Sequence, residues 1–280
     1  LKEIYRRTLT GAWIVIFTLG GFWLHPVSFF LTGLIILSGT QYEYLRIIRS
    51  TGVNAQMIPG MLTGIAVYIL ATLVASGILG FRYLLILIPF IAGIMIFELY
   101  RRQDNPFDSL AHTIFSVIYT ALPFSFFPFA AFGREGINPL IRYDGGVFSP
   151  GIIIGFFVLL WVNDTGAYLS GITFGKHRLL ERISPKKSWE GFAGGIILSV
   201  LSAWLLSGLL GVLDTPEWII VALLVAVSGT FGDLIESMFK RSTGIKDSGS
   251  IMPGHGGFMD RFDSTLLSFP LVFLFITFFG

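Results

Sequence analysis

Between Ser237 and Asp263 the chain sets cations, carboxylates and glycines close together: Lys240-Arg241, Lys246-Asp247, Pro253-Gly-His255-Gly256-Gly257 and Asp260-Arg261-Phe-Asp263. In an otherwise apolar protein such groups are costly unless they bind or transform something polar. On a helix through 231–241, Asp233, Glu236, Ser237 and Lys240 recur at helical spacing and share one face. Glu236 and Lys240 also fit an ordinary i,i+4 ion pair near a helix end. Asp233 is the stronger candidate, because it follows the apolar run 219–227 and needs a cation at that depth. Asp260 and Asp263 follow one turn apart at the start of the last apolar stretch. Carboxylates beside a phosphorylated substrate are the oxygen donors that magnesium takes, so Asp233, Asp260 and Asp263 are the metal candidates.

The glycines around His255 form a tight loop whose N–H groups can face an anion. Glycine-rich loops are common; the signal gains weight from Lys240, Arg241, Lys246 and Arg261, which together can neutralise a polyphosphate. A second polar cluster runs from Asn163-Asp164 through Lys176 to Ser184-Pro-Lys186-Lys187-Ser188. Asp164 interrupts an apolar run and is a candidate on that ground. The lysine pair fits headgroup anchoring as readily as a phosphate clamp, and Ser188 is placed to cap the helix that follows.

These residues must be positioned by membrane helices. The composition is 54% hydrophobic and 13% charged, far from that of a soluble globule, and apolar stretches recur along the whole length. An all-α polytopic membrane protein of about nine spans is expected, near 10–24, 27–45, 57–79, 83–99, 109–131, 150–170, 189–213, 217–239 and 263–280. Sorted onto alternate sides, all but Arg82, Arg134 and Arg142 of the 19 Lys and Arg residues fall on one side, which is therefore cytoplasmic and holds the N terminus. Every motif above lands there. One transmembrane domain is expected, with helices of low motif content over 1–149 and catalytic helices and loops over 150–280. The Gly-x3-Gly pairs at 60/64, 151/155, 171/175 and 191/195 read as close helix contacts, which also allow a homodimer. Cysteine is absent, and His25, His112, His177 and His255 are too scattered for a zinc site. No signal peptide is read at the start.

With its spacing, Ser237-x2-Lys240-Arg241-x4-Lys246-Asp247-x-Gly249-x3-Pro253-x-His255-Gly256-Gly257-x2-Asp260-Arg261-x-Asp263 resembles the signature of bacterial phosphatidate cytidylyltransferases, or CDP-diacylglycerol synthases. Asp164-Thr-Gly-Ala-Tyr168, Gly175-Lys176-His177 and Ser184-Pro-Lys186-Lys187-Ser188-Trp-Glu190 are similar to that family too. The likeness covers about residues 160–264; the earlier spans match in hydrophobic character alone, and Met252 stands where Leu, Ile or Phe is expected.

The resemblance implies transfer of CMP from CTP to phosphatidate, with magnesium and a second cation of unspecified identity, at the cytoplasmic face of a bacterial cell membrane. Nucleic acid is not an expected partner. Carried onto this chain, the catalytic set is Asp233, Asp260, Lys240, Lys246, Asp247, His255 and Arg261. The substrate-binding set is Asp164, Lys176, Ser184, Lys186, Lys187, Ser237, Arg241, Gly256 and Gly257. No enzyme nucleophile is needed, because a phosphate monoester is largely deprotonated near neutral pH. The competing readings are a transporter of an anionic substrate, which the gathering of charge on one face disfavours, a CDP-alcohol phosphotransferase, whose spaced Asp pattern is missing, and a non-catalytic scaffold.

Overall fold

The computed structural model describes residues 2–132, 147–249, 251 and 256–279. Ten α-helices occur among them: α1 (Lys2–Leu24), α2 (Pro26–Ser50), α3 (Met57–Ala75), α4 (Leu87–Arg101), α5 (Pro106–Ser116), α6 (Leu122–Phe132), α7 (Gly151–Phe174), α8 (Trp189–Leu210), α9 (Thr215–Ser242) and α10 (Met259–Phe278). A 3-10 turn leads into α4 and a π turn joins α5 to α6, so Phe81–Arg101 and Pro106–Phe132 are each one continuous path. Among the described residues seven paths are long and apolar enough to cross a bilayer, which makes this an all-α, multi-pass membrane protein. The expected first two spans are helical too. The apolar part of α1, Thr8–Leu24, is shorter, and α2 carries Gln41, Glu43, Arg46 and Arg49 in its second half. The stretch between the expected spans at 109–131 and 150–170 lies mostly outside the described residues.

The chain forms two compact units. The first comprises 1–149 and 247–262, the second 150–246 and 263–280.

In the first unit α1 and α2 are joined by the minimal turn expected at His25-Pro26. His25 is extended and caps α2, its Nδ1 accepting the Val27 N–H (3.1 Å) while Ser28 Oγ accepts the His25 N–H (3.1 Å). Pro26 opens the helix, where its missing N–H removes no bond. Apolar burial between helices gains little inside lipid, so rings in contact and satisfied polar groups do the holding. Phe22, Phe29 and Phe127 pack at centroid distances of 5.0 and 5.5 Å, and all three are fully buried. A polar network ties α3, α4 and α5: buried Glu98 Oε2 accepts from Arg101 (2.8 Å), Ser109 (3.1 Å) and Gln56 (2.5 Å). Arg101 also bonds the Asn54 carbonyl at 2.8 Å. Glu98 and Arg101 thus form a buried, hydrogen-bonded ion pair that acts as a structural clasp between these helices.

In the second unit α7 and α8 meet along a seam of small residues. A Cβ at Gly195 would sit 2.6 Å from Asn163 Oδ1, and one at Gly191 would sit 2.7 Å from the Ala167 carbonyl. The expected pair 191/195 thus lets backbones approach, whereas 151/155 makes room for the side chains of Val212 and Trp218. α9 starts with a capping box in which Glu217 Oε2 accepts the Asp214 N–H at 2.7 Å. Gly232 lets α9 approach α10, a Cβ there lying 3.0 Å from the Asp263 carbonyl.

Candidate active site

The close approach at Gly232 decides the geometry of the second unit's acidic cluster, because Asp233 is the next residue on α9 and Asp263 stands on the facing turn of α10. Asp263 lies in the electrostatic field of Asp233, Glu236 and Asp164. Two lysines enter this cluster. Lys187 Nζ pairs with Asp233 Oδ2 at 2.6 Å and donates to the Thr230 carbonyl at 3.3 Å. Lys240 Nζ pairs with Glu236 Oε2 at 2.6 Å, one turn along the same helix, as the spacing predicts. The pairs differ in depth: Glu236 is 0% and Lys240 14% exposed, whereas Asp233 and Lys187 are 36% and 26% exposed. Ser237 Oγ donates to Asp233 Oδ1 at 3.2 Å, fixing the carboxylate from its other side.

Lys187 reaches α9 from a hairpin that precedes α8. β1 (Arg178–Leu180) and β2 (Ser184–Ser188) pair antiparallel, with Arg178 opposite Ser188 and Leu180 opposite Ser184. Lys186 is exposed with Pro185, whereas Lys187 is partly buried and Ser188 buried, and the pairing carries an irregularity between Arg178 and Leu180. Ser188 ends the strand and caps α8, its Oγ accepting the Gly191 N–H at 3.1 Å. Glu190 closes the base, accepting the Lys176 N–H (3.1 Å) and the His177 N–H (3.2 Å), with His177 Nδ1 2.6 Å from its other oxygen.

The first unit holds a carboxylate constellation of a different kind. Asp260 Oδ2 accepts the Ser248 N–H (2.9 Å) and the Gly257 N–H (2.8 Å), and Ser248 Oγ stands 2.9 Å from it with a single proton to share between Asp260 and Glu43. Gly256 sits at φ +78°, and a Cβ there would strike the Asp260 carboxylate. The glycine pair expected to turn its N–H groups toward a bound anion therefore turns the Gly257 N–H toward the chain's own Asp260. Beside it stands Glu43 of α2, fully buried, whose Oε2 accepts from Ser248 Oγ (2.8 Å) and the Met259 N–H (2.8 Å). Neither Glu43 nor Ser248 was among the residues singled out from sequence.

Of the other expected residues, Asp164, Lys176, Lys186, Arg241, Lys246, Asp247 and Arg261 are exposed and Ser184 is half-buried. His255, with Pro253, lies outside the described residues. Among the described residues no three His, Asp or Glu side chains are grouped so as to hold a metal ion by themselves. Of the three expected metal ligands, Asp233 and Asp263 belong to one unit and Asp260 to the other; Asp233 and Asp263, with Ser237 alongside, are of the kind magnesium takes, since it binds one or two carboxylates and keeps its other positions for water and phosphate.

The family model described as the cytidylyltransferase family matches residues 5–279 of this chain. The chain belongs to that family. It is 39% identical over 168 residues to a protein of Staphylococcus epidermidis named phosphatidate cytidylyltransferase, a match covering 59% of this chain and 58% of that one. It is 35% identical over 193 residues to proteins of the same name from Staphylococcus saprophyticus and Staphylococcus aureus, covering 68% of this chain and 74% of theirs. The aligned stretch thus spans little more than half the length of the S. epidermidis relative and about three-quarters of the others.

Proposed function

We propose that this cytidylyltransferase-family chain transfers CMP from CTP to phosphatidate, giving CDP-diacylglycerol and pyrophosphate. A phosphate oxygen of the lipid attacks the α-phosphorus of CTP; that P–O bond forms as the bond from the α-phosphorus to the bridging oxygen breaks, and the oxygen leaves with pyrophosphate. No proton need be taken from the nucleophile, so the protein's task is to align the reactants and offset charge. The observation that carries this reading is Asp263 lying in the field of three further carboxylates, with Lys187 set against Asp233 at the open side of the cluster.

Magnesium held at Asp233 and Asp263 would supply positive charge at the phosphates being parted. Lys187, partly exposed, is then placed to move from Asp233 to a substrate phosphate, while Lys240 stays committed to buried Glu236. Lys186, Arg241, Lys246 and Arg261 contribute positive potential that draws in nucleotide and lipid headgroup. The lopsided distribution of Lys and Arg supports nine crossings with the N terminus inside and the site facing the cytoplasm of a bacterial cell. That is where CTP is found and where phosphatidate in the inner leaflet can reach it.

The test is incubation of the purified protein with radiolabelled CTP and phosphatidate, with and without magnesium. Magnesium-dependent label in lipid is expected. Flux of substrate into sealed vesicles with no labelled lipid would replace this reading with transport.

A further inference from the structure

Glu43 is an acid with no counterpart in any motif of the chain, fully buried in α2, and its bonds go to residues more than two hundred positions away. Its Oε2 accepts the Ser248 hydroxyl and the Met259 N–H, each at 2.8 Å. Gly249 and Gly257 are both pressed against the same carboxylate: a Cβ at 249 would lie 2.5 Å from Oε1, and one at 257 would overlap it. One turn either side of Glu43, α2 makes two further contacts with the same stretch. Gly39 lies against the Phe258 ring, and Arg46 Nη2 donates to the Ser248 carbonyl at 3.1 Å. These residues, at i−4, i and i+3, share one face of the helix.

Ser248 and Gly257, two of the groups gripped by this face, each donate a backbone N–H to Asp260 Oδ2, and the Ser248 hydroxyl lies between Asp260 and Glu43. We infer that Glu43 is a positioning residue: it latches the stretches 247–249 and 256–259 to α2 and thereby fixes the direction in which the Asp260 carboxylate points. The role in turnover rests on the cytidylyltransferase reading above; the latch itself does not. What Glu43 contributes on this account is a buried acceptor oxygen of the right reach, because both of its partners are neutral donors.

The experiment uses the full chain in detergent as wild type, Glu43→Ala and Glu43→Gln. Amide hydrogen exchange is followed in peptides covering 247–260 without substrate, and kcat and KM are measured with CTP and phosphatidate. Glu43→Ala is expected to raise exchange in 247–260 while α3 and α7 exchange as in wild type. Its kcat should fall about 10- to 100-fold, as for other partners that orient a catalytic carboxylate, with both KM values near wild type. Glu43→Gln keeps an oxygen for the Met259 N–H and should recover both exchange and kcat. Wild-type exchange in Glu43→Ala, or a Glu43→Gln variant as impaired as Glu43→Ala, would overturn the inference. Should Glu43→Ala fail to fold, Ser248→Ala removes the shared hydroxyl alone, and wild-type exchange and kcat in that variant would overturn it equally. If the wild-type protein makes no labelled lipid, the functional reading fails, while the exchange measurement still decides the latch.

Discussion

The two units hold their candidate carboxylates by different means. In the first, N–H groups and a hydroxyl, which are short, directional and uncharged, stand against Asp260 and Glu43. In the second, Asp233 and Glu236 are held by lysines, long side chains whose charge can be shared with another anion. Neutral donors fix where an acid points while leaving its charge available, whereas a cation cancels the charge until something displaces it. One arrangement suits a group that must stay aimed, the other a group that must change partners when substrate arrives.

The sharpest way to break this contrast is to remove charge without removing shape. Asp260→Asn retains an oxygen for the Ser248 and Gly257 donors, so the protein should stay folded; loss of the negative charge should lower CTP-dependent turnover by about 10³-fold. Near-normal turnover at saturating magnesium would take Asp260 out of the chemistry. Next comes Lys240→Met, which removes the cation paired with fully buried Glu236 and should cost about 3–5 kcal/mol of stability, read as a lowered unfolding temperature. Adding Glu236→Leu should recover most of that loss, and a double variant as unstable as the single one would show that the pair is not the cause. Lys187→Met, by contrast, breaks a partly exposed pair. Stability should change by less than about 1 kcal/mol, while turnover falls about 10- to 100-fold. A large stability loss with unchanged turnover would turn Lys187 into a strut. Smallest of all, Lys186→Ala should raise the KM for CTP or phosphatidate a few-fold with kcat preserved, in proportion to the modest worth of one exposed charge. An unchanged KM for both would reject its part in substrate capture.

The elements that follow local rules were legible in the sequence. Apolar runs marked the helices, His25-Pro26 marked the turn before α2, Ser188 was readable as a cap, and spacing paired Glu236 with Lys240. The need of Asp233 for a cation was also legible from the expense of a lone carboxylate after an apolar run. Its partner was not, because Lys187 comes from 46 positions earlier on a strand of Ser, Pro and Lys that has no apolar alternation to betray it. Glu43 was harder still. It looks like one polar residue among Gln41, Arg46 and Arg49 in a helix, and only the tertiary fold brings it to Ser248. The same holds for Glu98 and Arg101, whose importance comes from Gln56 and Ser109 closing around them. Sequence reading finds the residues whose neighbours in the chain explain them; long-range polar partners escape it.

The hairpin of β1 and β2 sets two adjacent lysines to different duties by where the strand turns inward: Lys187 leans in to Asp233 and Lys186 faces outward. A single residue inserted or deleted between 181 and 186 would slide the strand and trade those duties, with every lysine still present. The length of this finger therefore matters as much as its composition.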